Sequence, residues 1–168
     1  MPGSLSHLVR RFFDTLFSRA LLSSEIAAID DWLSTEESAV FYSQSVVDQR
    51  HGYHAALSVI AAGVGDTTTI RAALLHDIGK RDARIGILGR SIASLLIGLG
   101  WPMTKRMALY RDHGESGSRE LAELGCEPLV IEFALHHHRA RPLSINAATW
   151  HILQAADQPP KAKTMVRP

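Results

Sequence analysis

Between Leu5 and Leu21 the apolar residues Leu5, Leu8, Val9, Phe12, Phe13, Leu16, Phe17, Ala20 and Leu21 recur at three- and four-residue spacing. That rhythm is one face of an amphipathic helix. The opposite face carries Arg10, Arg11, Asp14 and Arg19. A basic amphipathic helix can lie on a membrane surface, but helices draw most of their stability from tertiary packing. The favoured reading is therefore a stripe docked on the chain's own domain, with pairing to a second copy, and so a homo-oligomer, as the other use of the same face.

Further along, Ser34-Thr35-Glu36-Glu37 has capping-box spacing and predicts a helix running toward Ser43. A second is expected from Asp48 to Ala62, stopped by Gly63-Val64-Gly65-Asp66, and a third from Ile70 to Ile78, capped by Thr67 or Thr68 and ending at Gly79. Helices over Arg90–Gly100, Thr104–Arg111, Gly117–Leu124, Pro128–His138 and Ala147–Ala156 complete the series. Nowhere does a clean apolar-polar alternation persist between turn residues, so strands are not expected. The fold class is all-α, a compact helical bundle. Residues 1–45 read as an N-terminal helical extension, and 159–168, with three prolines among lysines, as a flexible tail.

At 168 residues the chain is long enough for one domain with a real core. Lys and Arg number 18 against 17 Asp and Glu, so no global field favours a nucleic-acid partner; any anionic substrate must be attracted locally. One cysteine, Cys126, can neither close an internal disulfide nor build a thiolate metal site. A reducing cytoplasm is the expected setting. No leader-like apolar stretch precedes a cleavage site, and the longest apolar run, Ile92 to Trp101, falls short of the roughly 20 residues of a transmembrane helix.

The histidines are what stand out. Of nine, six fall in three places: His51 with His54, His76, and His136-His137-His138. In Leu74-Leu75-His76-Asp77-Ile78-Gly79-Lys80 an imidazole and a carboxylate sit together at the end of an apolar helix. Burying an ionised carboxylate costs several kcal/mol unless a cation or hydrogen bonds compensate it. A buried hydrogen-bonded His-Asp pair would do so, and so would a divalent metal. Imidazole and carboxylate donors at His51, His113, His137, His138 and Asp157 suit manganese, iron, cobalt, nickel or zinc.

The order His, His-Asp, His, His-His, Asp resembles the HD-domain superfamily of metal-dependent phosphohydrolases. The likeness covers Val46 to Gln158, about two thirds of the chain, and is most specific at Leu-Leu-His-Asp-Ile-Gly-Lys. It implies an HD-type bundle over 46–158 in which His51, His76, Asp77 and Asp157 hold one metal. His51 is preferred to His54 because Ala55, Ala56, Val59 and Ala62 follow it as in the family's helix, whereas His54 is followed by Ser58 and Gly65 at the corresponding ends. A second metal would add His113, His137 and His138, with Asp77 bridging; the triple run leaves His136 as an alternative in the pair. No Gly-Tyr-Pro signature follows His-His, which argues against a cyclic dinucleotide substrate.

What the resemblance implies is a small phosphorylated substrate, such as a nucleotide, hydrolysed by water that one or two divalent metals have acidified. Asp77 and Lys80 are the expected catalytic residues, with Lys80, Arg139 and Arg141 as clamps for the phosphate. The same ligand order also serves two other functions: a catalytically quiet metal-holding regulatory or scaffold module, and an HD-type di-iron oxygenase.

Overall fold

A computed structural model describes residues 19–158, apart from Ile87, Leu88, Arg90, Ser91, Ser94, Leu95 and Ile97. The expected helix over Leu5–Leu21 and the tail over 159–168 lie almost wholly outside these residues, and the expected helix over Arg90–Gly100 lies partly outside them.

Every regular element among the described residues is helical. In chain order they are α1 (Ser23–Trp32), α2 (Thr35–Tyr42), α3 (Val46–Ala61), α4 (Thr67–Leu75), a 3₁₀ helix η1 (Ile78–Ala83), α5 (Lys105–Arg111), α6 (His113–Glu123), α7 (Pro128–His136) and α8 (Ala147–Asp157). Most begin where a side chain can satisfy free backbone N–H groups. At Ser34 the capping box forms as expected: its hydroxyl accepts from the Glu37 amide at 3.2 Å and the Glu37 carboxylate accepts from the Ser34 amide at 2.9 Å. Ser45, Thr104 and Asn146 cap α3, α5 and α8 by side-chain acceptance from the Asp48, Met107 and Thr149 amides.

The architecture is organised round α4. Its residues Ile70, Ala72, Ala73, Leu74 and Leu75 are all buried, and α3, α7 and α8 pack on it from different sides, with α1 touching it as well. The face of small residues expected on α3 makes the closest of these approaches. A Cβ on Gly52 would lie 2.6 Å from the Leu74 carbonyl oxygen, and Ala55, Ala56 and Val59 continue the buried stripe. Beyond α4 the core includes Ile29, Phe41, Ile78, Leu121, Val130, Phe133 and Leu153, none of which reaches solvent. Phe133 of α7 meets Trp150 of α8 edge-on at 5.7 Å between ring centroids.

Several boundaries differ from the sequence expectation, each for a local reason. The cap of α4 is Asp66, not Thr67 or Thr68; its carboxylate accepts from both the Thr69 amide and the Thr69 hydroxyl. That helix stops at Leu75 and the chain tightens into η1 through Ile78-Gly79, because Gly79 runs against the start of α6. A Cβ there would meet the His113 carbonyl oxygen at 2.1 Å. The helix expected from Gly117 begins four residues earlier, at His113, and α7 ends at His136, leaving His137 as its C-cap. Helix α1 has no counterpart in the expectation; its Glu25 accepts from the Leu22 amide and pairs with Arg50 of α3, each at 2.7 Å.

Candidate metal centre

The end of α4 delivers His76 and Asp77 to the middle of the molecule, where they are 0% and 2% exposed. Around them converge His51 from α3, His113 from the first turn of α6, His137 and His138 from the end of α7, and Asp157 from the last turn of α8. Four separate elements besides α4 thus contribute one or two donor groups each to a single buried cluster.

The Asp77 carboxylate divides the cluster. Its Oδ1 faces His113 Nε2 at 3.1 Å and His137 Nε2 at 3.4 Å, while its Oδ2 faces His76 Nε2 at 3.4 Å and His51 Nε2 at 3.6 Å. Asp157 Oδ1 completes the second group, 3.1 Å from both His51 Nε2 and His76 Nε2. His138 completes the first, its ring 4.0 Å from that of His137 and 5.2 Å from that of His113. Two overlapping sets result, Asp77 with His113, His137 and His138, and Asp77 with His51 and His76, within which ligand atoms lie close enough to share an ion.

Backbone geometry fixes the direction of the imidazoles. Nδ1 of His76 lies 2.8 Å from the Ala73 carbonyl oxygen, Nδ1 of His113 2.7 Å from that of Tyr110, and Nδ1 of His137 2.8 Å from that of Ala134. A carbonyl only accepts, so in each case Nδ1 carries the hydrogen and donates. In the neutral ring Nε2 is then a bare lone pair aimed into the cluster, the arrangement that orients histidine for a metal. One consequence is acute: Nε2 of His113 and Nε2 of His137 face each other at 3.2 Å. Two lone pairs at that distance repel, so a proton or a metal ion must lie between them. The donor set fits a divalent metal, being nitrogen and carboxylate oxygen with no thiolate.

Without a metal, charge is balanced within the cluster. Burial opposes a charged His76, but Asp77 and Asp157 outweigh it and lift the pKa to about 10. Burial likewise works against the Asp77 carboxylate, yet Lys80 and His76 hold it ionised well below the ordinary range, and Asp157 is held low by His51 and His76. For His137 burial prevails and pushes the pKa down. Each of these compensations is one a divalent cation would supply more fully.

The access route is legible from exposure. His51 is 32% exposed and His138 is exposed, while Asp157 keeps only 14% of its side chain open, so the cluster is open to solvent at His51 and His138. A surface depression lined by Ala39, Val40, Ser43, Arg81, Asp82 and Arg84 shares no residue with it, and Arg81 there is occupied by the Val40 carbonyl, the Ser43 hydroxyl and Glu120.

All seven residues expected as metal ligands are therefore brought together. His54, the rival of His51, is exposed, points away beside Tyr53 and joins neither set. His136 also stays outside, 3.8 Å from Glu132. The expected phosphate clamps are placed differently. Lys80 is buried and ion-paired with Asp77 Oδ2; Arg139 pairs with Glu115 at 2.6 Å on the surface; and Arg141 donates to the Ile145 carbonyl at 2.5 Å. Sequence reasoning missed the accepting carbonyls of Ala73, Tyr110 and Ala134, each three residues before its histidine; a backbone acceptor leaves no mark on residue type. It also missed Asp48, whose carboxylate, after that of Asp77, holds Lys80 protonated against burial.

Compared with models of known protein families, with curated proteins and with solved structures, the chain matches none of them.

Proposed function

We propose that this chain is a metal-dependent phosphohydrolase of the HD-domain kind, acting on a phosphate ester of a nucleotide or another small phosphorylated molecule. The observation that carries this reading is the division of Asp77 between two groups of imidazoles. His51, His76, Asp77 and Asp157 would hold one ion, and Asp77, His113, His137 and His138 a second. When bound, manganese, iron, cobalt, nickel or zinc supplies a Lewis acid that acidifies water and neutralises charge on phosphoryl oxygens.

The protein's own residues supply the rest. The carbonyls of Ala73, Tyr110 and Ala134 lock three imidazoles in the tautomer that presents Nε2. Lys80, kept cationic beside Asp77, orients that carboxylate and places positive charge within one turn of the site, where a phosphate oxygen would be drawn. The open edge at His51 and His138 would admit substrate and water.

One observation favours a second reading, a quiet metal-holding module: Lys80, Arg139 and Arg141 are each already engaged by a partner of their own chain. Both readings expect metal, and they part on turnover. Elemental analysis of the untagged protein, alongside phosphate release from a panel of nucleotides with each of the five metals supplied, separates them. Metal with phosphate release supports the hydrolase, metal without turnover supports the quiet module, and no metal under any condition returns His76 and Asp77 to a buried polar pair.

A further inference from the structure

The inward stripe of α8 runs Trp150, Leu153, Gln154, Asp157, and one of its members is out of character. Trp150 and Leu153 are core residues and Asp157 belongs to the cluster, but Gln154 is an amide on the same face with no place in the site described above. Its Nε2 donates to the His137 carbonyl oxygen at 2.6 Å. That carbonyl belongs to the C-cap of α7, where the last carbonyls of a helix have no amide of the next turn to accept from.

The bond does more than satisfy an orphan acceptor. His137 and His138 are joined by the peptide whose oxygen Gln154 holds, so fixing that oxygen fixes the peptide plane from which both imidazoles depart. His137 has a second tether, through Nδ1 to Ala134. His138 lies beyond the helix and is exposed, and among the described residues no hydrogen bond of its ring nitrogens is seen, which leaves the peptide plane and the ring contacts with His137 and His113 to restrain it. Gln154 also stands one helical turn before Asp157. Helix α8 therefore carries a ligand of one histidine group and, one turn away, grips the backbone of the other.

We infer that Gln154 is the positioning residue of the His113–His137–His138 half, setting the direction of His137 and His138 through their shared peptide and tying that half to the helix that carries Asp157. The inference rests on the two-ion reading of the centre and names which ion depends on α8. Loss of a hydrogen bond that orients metal ligands typically lowers affinity by about 10–100-fold. Here that loss falls on one ion only.

The test is a cobalt titration of the full-length metal-free protein, followed by the visible absorption of the bound ion and by calorimetry. Three proteins are compared: the unaltered chain, Gln154→Leu, which keeps the volume and removes the donor, and His113→Ala, which disables the same half and so identifies its binding step and spectrum. Expected is a two-step isotherm for the unaltered chain, with the step lost in His113→Ala weakened about tenfold or more in Gln154→Leu and the other step unchanged. Equal binding by Gln154→Leu and the unaltered chain overturns the inference while leaving the metal reading intact. Equal weakening of both steps, or a lower thermal midpoint of the metal-free variant that accounts for the loss, makes Gln154 a structural residue and overturns it as well. An unaltered chain that takes up no cobalt overturns the metal reading itself.

Discussion

At the scale of single residues, the cluster is a problem of charge in which each group is tolerated only because of its neighbours. Asp77 is the common neighbour, touched by His51, His76, His113, His137 and Lys80. Asp77→Asn keeps the shape and removes the charge, and one of its two positions becomes an N–H donor. The amide can no longer accept on both sides, so one imidazole group faces an N–H in place of its oxygen and the other keeps only an uncharged carbonyl. The expected outcome is complete loss of metal uptake by elemental analysis and of any phosphate release; retention of either removes Asp77 from the bridging role. Cys126 illustrates the opposite case, a group whose setting makes it inert. Burial, then a hydrogen bond to Glu37 Oε1 at 3.2 Å, push its thiol up to about 12. Because the thiolate is the reactive form, the folded protein should resist alkylation at pH 8 while the urea-unfolded chain reacts fully. Rapid labelling of the native protein would contradict that.

At the scale of elements, what holds the site is how closely helices approach. The start of η1 presents Gly79 to the backbone of α6, with no room for a methyl group. Gly79→Ala must push α6, and His113 with it, away from Asp77. It should cost about 3 kcal/mol in urea unfolding, at the upper end of overpacking effects, whereas Gly86→Ala, which meets nothing within 4 Å, should change stability by less than about 0.5 kcal/mol. Similar costs for the two would mean that the approach is not tight. A different joint ties α2 to α4: Arg71 binds Glu37 and reaches Glu127 at 2.6 Å. Burial would raise the Glu37 carboxyl, but Arg71 and the Ser34 amide outweigh it and hold the pKa below its ordinary value of 4.5. A depressed folded pKa stabilises the protein above about pH 4.5, and that contribution disappears as pH falls through the lower folded value. Glu37→Gln should therefore be less stable than the unaltered chain at pH 7, with the gap in urea midpoint closing as pH falls below 4.5. A gap that does not change with pH would assign the effect to packing instead. The elements themselves were legible where local chemistry decides them, as at the Ser34 capping box and Pro128. They were not legible where a distant partner decides, as in the stop of α4 at Leu75, since nothing between Ile70 and Gly79 announces that α6 will lie against Gly79.

At the scale of the whole molecule, the all-helical fold followed from periodicity, and the convergence of His51, His76, Asp77, His113, His137, His138 and Asp157 was expected from the resemblance that their order carries. The order does not reveal which charged groups face one another, because Lys80–Asp77, Arg139–Glu115 and Arg71–Glu37 are set by helix packing across the chain. Among the described residues no helix is long and apolar enough to cross a membrane, and their buried apolar side chains form one core cluster. On the proposed metal reading, a core built on seven donor groups from five places in the sequence would couple folding to metal. These ligands converge only in the folded state, so an ion that binds them stabilises the fold by mass action, about 2.7 kcal/mol at a free concentration one hundred times its dissociation constant. For a chain of this size that corresponds to a rise of roughly 5–10 °C in thermal midpoint. Protons compete for the same imidazole nitrogens, so the rise should shrink as pH is lowered from 8 to 5.5. Calorimetry of the chelator-stripped protein with and without added manganese, cobalt or zinc reads both effects. A midpoint that ignores all of these metals at pH 8 would mean that the internal pairs of His76, Asp77, Lys80 and Asp157 suffice to hold the centre together, and the case for metal would fail at its physical root.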